Sequence, residues 1–92
     1  MEEIEKIINC DAIGNAFYNL YDRWCDEMGH ENIKTYAITI VKIINNNLPE
    51  CNVTLLGATS KPFGVKIQVG DKKAHIYVKF SNSCLTLCAK II

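Results

Sequence analysis

Phe63-Gly64-Val65-Lys66-Ile67-Gln68-Val69-Gly70-Asp71-Lys72-Lys73-Ala74-His75-Ile76-Tyr77-Val78-Lys79-Phe80 decides the fold. Apolar side chains occupy every second position on both sides of Gly70-Asp71, the period of a half-buried strand. Gly70-Asp71 suits a two-residue type II′ turn, whose first central residue needs a positive φ. That turn sets Ile67 opposite Ala74 and Val65 opposite Ile76, so apolar meets apolar, and Lys66 faces His75. Turn chemistry and hydrophobic pattern therefore specify the same register.

The same period extends outward. Val53 and Leu55 alternate with Thr54, and Leu85, Leu87, Ala89 and Ile91 alternate with Thr86, Cys88 and Lys90. Four strands are expected, at 52–58, 63–69, 73–80 and 84–92. The last connection has two self-consistent forms. A two-residue loop at 81–82 puts His75 opposite Cys88. A four-residue loop at 81–84 puts Tyr77 opposite Cys88 and His75 opposite Lys90. A three-residue loop pairs apolar with polar throughout unless a bulge intervenes.

Upstream of Asn52 the period becomes helical. Ile4, Ile7 and Ile8 fit a first short helix at 2–9. Ile13, Phe17, Leu20, Trp24 and Met28 repeat at helical spacing over 12–28, on a face roughly 180° from the first series. A break is expected between the two, with Asp11 as N-cap and Gly29 closing the second helix. Trp24, central in its series, is expected to be buried. Ile33, Tyr36, Ala37, Ile40, Val41 and Ile44 predict a third helix over 31–46, although its many β-branched residues also suit a strand. Asn45-Asn46-Asn47 and Pro49 end it in either case. The expected architecture is a single α+β domain, residues 1–92, with N-terminal helices packed on one face of a four-stranded antiparallel meander.

Composition bounds what such a domain does. Hydrophobic residues make up 49% of the chain and charged ones 22%, which excludes wholesale disorder. The apolar runs are too short to span a bilayer, and the acidic start Met1-Glu2-Glu3-Ile4-Glu5 lacks the basic opening of a secretory signal. A cytoplasmic, non-membrane protein is expected. Five cysteines (Cys10, Cys25, Cys51, Cys84, Cys88) form no CxxC, and their odd number in a reducing compartment predicts free thiols.

No phosphate-cradling glycine loop, serine elbow or paired metal-ligand motif occurs. His75, Cys84 and Cys88 share one strand face in principle, but their spacing is unlike a zinc ribbon. Neither Cys25 near His30 nor Cys51 after its proline forms a nucleophile motif, so a thiol- or metal-dependent enzyme ranks last. No cofactor is expected.

Charge carries the strongest signal. Net charge is zero, yet residues 1–51 hold nine acids and four bases while residues 52–92 hold Asp71 and six lysines, giving −5 and +5. If the apolar strand residues face the helices, the opposite face carries Lys66, Lys73, His75, Tyr77, Lys79, Thr86 and Lys90. The polar face of the second helix carries Asp22 and Asp26 as part of an acidic stripe. These two surfaces are the candidate partner-binding sites, and their bland reading is solvation.

The expectation is a small non-enzymatic protein-binding module that docks on a larger protein or protein–nucleic-acid complex. Domains of this size class are common among phage and mobile-element inhibitors of host machinery, anti-CRISPR proteins included, although no residue motif points there. The alternative is direct nucleic-acid binding by the lysine face. Against it stand the lack of arginine on that face, its single aromatic and the zero net charge.

Overall fold

The structure is a computed structural model, and it describes residues 2–27, 30–60, 63–81 and 84–92, without the side chains of residues 2, 24–27, 30–32, 60, 80 and 81. Its order is α1 (Glu2–Asn9), α2 (Asp11–Glu27), α3 (His30–Asn47), a 3-10 turn (Pro49–Cys51), β1 (Thr54–Ser60), β2 (Phe63–Val69), β3 (Lys72–Ser81) and β4 (Cys84–Ile91). The strands form one antiparallel sheet in the order β1-β2-β3-β4. The fold is therefore α+β, with three helices packed on a four-stranded meander.

The central hairpin follows its sequence. Ile67 pairs with Ala74, Val65 with Ile76 and Lys66 with His75. Gly70 has φ 61°, and Asn52 is the only non-glycine residue with positive φ among those described. Asp71 thus has negative φ, and a turn with only its first central residue positive is type II′. At β3–β4 the register sets Tyr77 opposite Cys88 and His75 opposite Lys90. The pairing continues to Ser81 and Cys84, further than the four-residue-loop reading supposed.

β1 departs from simple alternation. Leu55 pairs with Ile67, but Gly57 pairs with Lys66, so Leu56 is an extra residue in a bulge. It is 46% exposed. The bulge reverses the side-chain parity beyond it, putting Ala58 on the helix side and Thr59 on the open side. It also carries β1 on to Ser60, two residues past its expected end.

Each helix buries the face that its periodicity marks. Ile4, Ile7, Ile13, Phe17, Ile40 and Ile44 are essentially inaccessible and join Val65, Ile67 and Ile76 of the sheet in one core. Phe63 packs in T-shaped pairs with two rings from α2, Phe17 at 6.3 Å and Tyr21 at 5.9 Å between centroids. In α3 the positions three and four apart are buried, while Ile38 is 42% exposed. Its β-branched residues thus serve a helix, because burial of that stripe outweighs their weak strand preference.

The break between α1 and α2 falls at Cys10. The Gly14 amide donates to the Cys10 carbonyl at 2.9 Å, which makes Cys10 the capping position. Asp11, expected as N-cap, stands instead as the first helical residue, where its carboxylate still favours the positive helix end. The expected burial of Trp24 and Met28, free thiol of Cys25 and helix end at Gly29 lie outside the described residues or side chains.

α3 runs through all three asparagines to Asn47, and Asn45, in its last turn, has a separate task. Its side-chain nitrogen donates to the Val53 carbonyl at 2.9 Å, and its oxygen accepts from the Val53 amide at 2.8 Å. Asn45 acts as a surrogate strand for the chain entering β1. Asn52, with φ 48°, makes the reversal that brings Val53 there.

Cys10, Cys51, Cys84 and Cys88 are free thiols. Burial raises the Cys51 pKa above its ordinary value and Glu50 adds to the effect, so the thiolate is disfavoured there. Alkylation without reductant is expected to give five modified cysteines per chain, with the exposed Cys84 labelled first and the buried Cys51 late. Mass spectrometry over a labelling time course checks this, and a reproducible disulfide contradicts it.

Candidate functional site: the open face of the sheet

The helices cover one face of the sheet and leave the other to solvent. Strand parity gives that open face Thr54, Gly57 and Thr59 from β1, and Gly64, Lys66 and Gln68 from β2. It adds Lys73, His75, Tyr77 and Lys79 from β3, and Cys84, Thr86, Cys88 and Lys90 from β4. All seven sheet residues singled out by sequence, Thr86 included, therefore share one surface. Lys66, Lys73, Lys79 and Lys90 are exposed, while His75 and Tyr77 are half-buried. None of these four lysines has a carboxylate partner among the described residues, and Asp71 at the turn is the only acid of residues 52–92.

The centre of the face is built by two glycines. Gly64 sits opposite Tyr77, and Gly57 opposite Lys66. With no side chain at Gly64, Thr59 of β1 reaches past β2 to β3. Its hydroxyl lies 2.8 Å from His75 Nε2. The imidazole also leans on the Tyr77 ring, 4.9 Å between centroids and tilted by 39°. Burial lowers the His75 pKa below its ordinary value, and the cations Lys66 and Lys90, directly across on either side, lower it further. His75 is thus neutral at neutral pH.

Gly64 is also required by space. A Cβ there would lie 2.3 Å from the Ile76 carbonyl oxygen and 2.7 Å from Tyr77 Cα, both backbone atoms. Gly64→Ala is expected to destabilise the domain by about 2 kcal/mol or more, because strand pairing must shift. Gly57→Ala, whose Cβ meets nothing within 4 Å, is the matched control and should melt like the parent. Equal melting temperatures for the two variants would contradict the close approach at Gly64.

Sequence reading found the lysines, His75 and Tyr77 but missed Thr59 and the two glycines. Plain alternation from Val53 and Leu55 points Thr59 toward the helices, and only the bulge turns it outward. Asp22 is exposed on α2, on the helical side of the molecule. The Asp26 side chain lies outside those described.

The possible convergence of His75, Cys84 and Cys88 does not take place. His75 is diagonal to Cys88, Cys84 pairs with Ser81 four residues further along, and the imidazole turns toward β1. Among the described residues no three of His, Cys, Asp or Glu gather as metal ligands. A cleft of about 370 Å³ lies between the α1–α2 junction and β4, walled by Ile8, Cys10, Tyr18, Leu85 and Leu87 with Asp11 beside it. The Tyr18 hydroxyl donates to the Leu85 carbonyl across it and fastens α2 to the edge strand. No described helix is long and apolar enough to cross a membrane.

Comparison of the chain with protein-family models, with curated proteins and with solved structures finds no match in any of the three.

Proposed function

We propose that this protein is a non-enzymatic binding module whose open sheet face docks on an acidic surface of a larger protein or protein–nucleic-acid complex. The observation that supports this reading is the uncovered face itself: four exposed lysines, none paired among the described residues, on one face of an antiparallel sheet with no acid among them. Such a face steers an acidic partner and makes association sensitive to salt. Within this class we place an inhibitor of host machinery carried by a phage or mobile element, such as an anti-CRISPR protein; only its size class speaks for that narrower reading.

A second reading, single-stranded nucleic-acid binding, draws on the His75–Tyr77 ring pair, which offers a place for a base to stack. Capture from lysate at low and high salt separates the two. A stoichiometric protein partner released by salt supports the first reading. Salt-dependent retention on single-stranded DNA with no protein partner overturns it in favour of the second.

A further inference from the structure

We propose that the row Lys66–His75–Lys90 is an oxyanion site, taking one carboxylate of an acidic protein partner while His75 takes up a proton from solvent. This rests on the reading of the open face as a docking surface and specifies the chemistry at its centre.

Three observations support it. Lys66 and Lys90 flank His75 directly on the neighbouring strands, and neither has an anionic partner among the described residues. Thr59 engages only one ring nitrogen, Nε2, and Nδ1 makes no hydrogen bond among the described residues. Finally, a Cβ at Gly57, in the same row, would meet nothing within 4 Å, so the row is open on that side.

The Thr59 hydroxyl suits both protonation states. With neutral imidazole it donates to Nε2 and leaves the proton on Nδ1. With imidazolium it accepts from Nε2–H. Nδ1–H is a donor in both cases, on a residue flanked by Lys66 and Lys90 on the neighbouring strands, so a carboxylate that reaches all three would gain charge-assisted contacts.

The other groups around His75 are Lys73 and Tyr77 on its own strand and Cys88 diagonally across on β4; β1 contributes Thr59, and the helices lie on the far face. No acid faces the imidazole, so an arriving anion is what offsets the repulsion of Lys66 and Lys90. In the free protein the His75 pKa lies below its ordinary value. A bound carboxylate raises it, so binding takes up a proton and tightens as pH falls from the raised midpoint of the bound form toward the lower one of the free form.

A carboxylate suits this site better than a phosphodiester strand. Single-stranded nucleic acid is held largely by stacking on several aromatic rings, and this face offers one ring pair, His75–Tyr77.

The test follows the His75 ring by NMR on the full chain at constant ionic strength, with acetate, a hexaglutamate peptide and a thymidine oligonucleotide as probes. The peptide is expected to shift the His75, Lys66 and Lys90 signals, to raise the His75 titration midpoint, and to bind roughly threefold or more tightly at about pH 6 than at about pH 8. Acetate should do the same weakly. His75→Gln should keep binding but lose the pH dependence, and Lys66→Gln should raise the free His75 midpoint while weakening the peptide. Peptide binding with no response at His75 overturns the site while leaving the docking face standing. Tighter binding of the oligonucleotide than of the peptide overturns the choice of carboxylate. Failure of every probe overturns the site, and the effect of charge reversal on captured partner then decides the docking reading separately.

Discussion

Phe17→Ala is expected to remove roughly half of the domain's stability and to lower its melting temperature by about 15 °C or more. Phe17 is fully buried in the middle of α2, and its ring forms a T-shaped pair with Phe63 at 6.3 Å. It joins the helical layer to β2, so its removal opens a cavity bounded by both layers. Large-to-small changes at such a site cost about 3–5 kcal/mol, against a total of about 5–10 kcal/mol for a domain of this size. Circular dichroism and thermal melting read the result. Ile38→Ala, on the 42% exposed side of α3, should melt within a few degrees of the parent. A Phe17→Ala protein with near-native stability would mean that the core does not depend on this contact.

Reversing two lysines of the open face, Lys66→Glu with Lys79→Glu, should leave stability nearly unchanged and weaken partner binding about tenfold or more, roughly 1.4 kcal/mol or above. Stability is spared because both side chains are exposed and neither has an ion-pair partner among the described residues. Binding suffers because each reversal places like charge against an acidic surface. The described acidic side chains of the helices offer no internal compensation: Glu3, Glu5, Asp11 and Asp22 are exposed on the helical side. The molecule is 23 Å across in its shortest direction, beyond the roughly 8 Å screening length at physiological salt. Reversal of Asp22 with Asp26 is the matched control for the other side. Affinity for captured partner, measured at fixed ionic strength, checks both doubles. If neither changes binding while both fold, the charge asymmetry has no external target and the partner is held by apolar or loop contacts.

Much of this architecture is local in origin, and local information is written in order along the chain. The hairpin around Gly70-Asp71 was legible because turn type, side-chain period and apolar pairing each demand one register, and Ile67 meets Ala74 as that register requires. The spacing from Ile33 to Ile44 made a helical stripe legible in α3, but its β-branched residues suited a strand as well, and burial of that stripe against the sheet decided for the helix. The segregation of charge was legible as well: once the apolar positions are assigned to the core, period two sends the lysines of β2 and β3 to the opposite face.

Tertiary structure decided what depends on contacts between distant segments. The bulge at Leu56 answers the pairing of β1 with β2, and by shifting parity by one residue it turns Thr59 outward. The contact from Thr59 to His75 spans sixteen residues of sequence and needs the empty position at Gly64 between them. Asn45 reads as a helix-ending residue until Val53 arrives beside it and takes both of its hydrogen bonds. The β3–β4 register had two self-consistent solutions, because either puts apolar residues on one face; the structure holds Tyr77 opposite Cys88, with Tyr18 of α2 bound to the Leu85 carbonyl on the edge strand. Periodicity tells each residue which way to face, but which residues meet is set by how the faces pack, and the centre of the open sheet is made of such meetings.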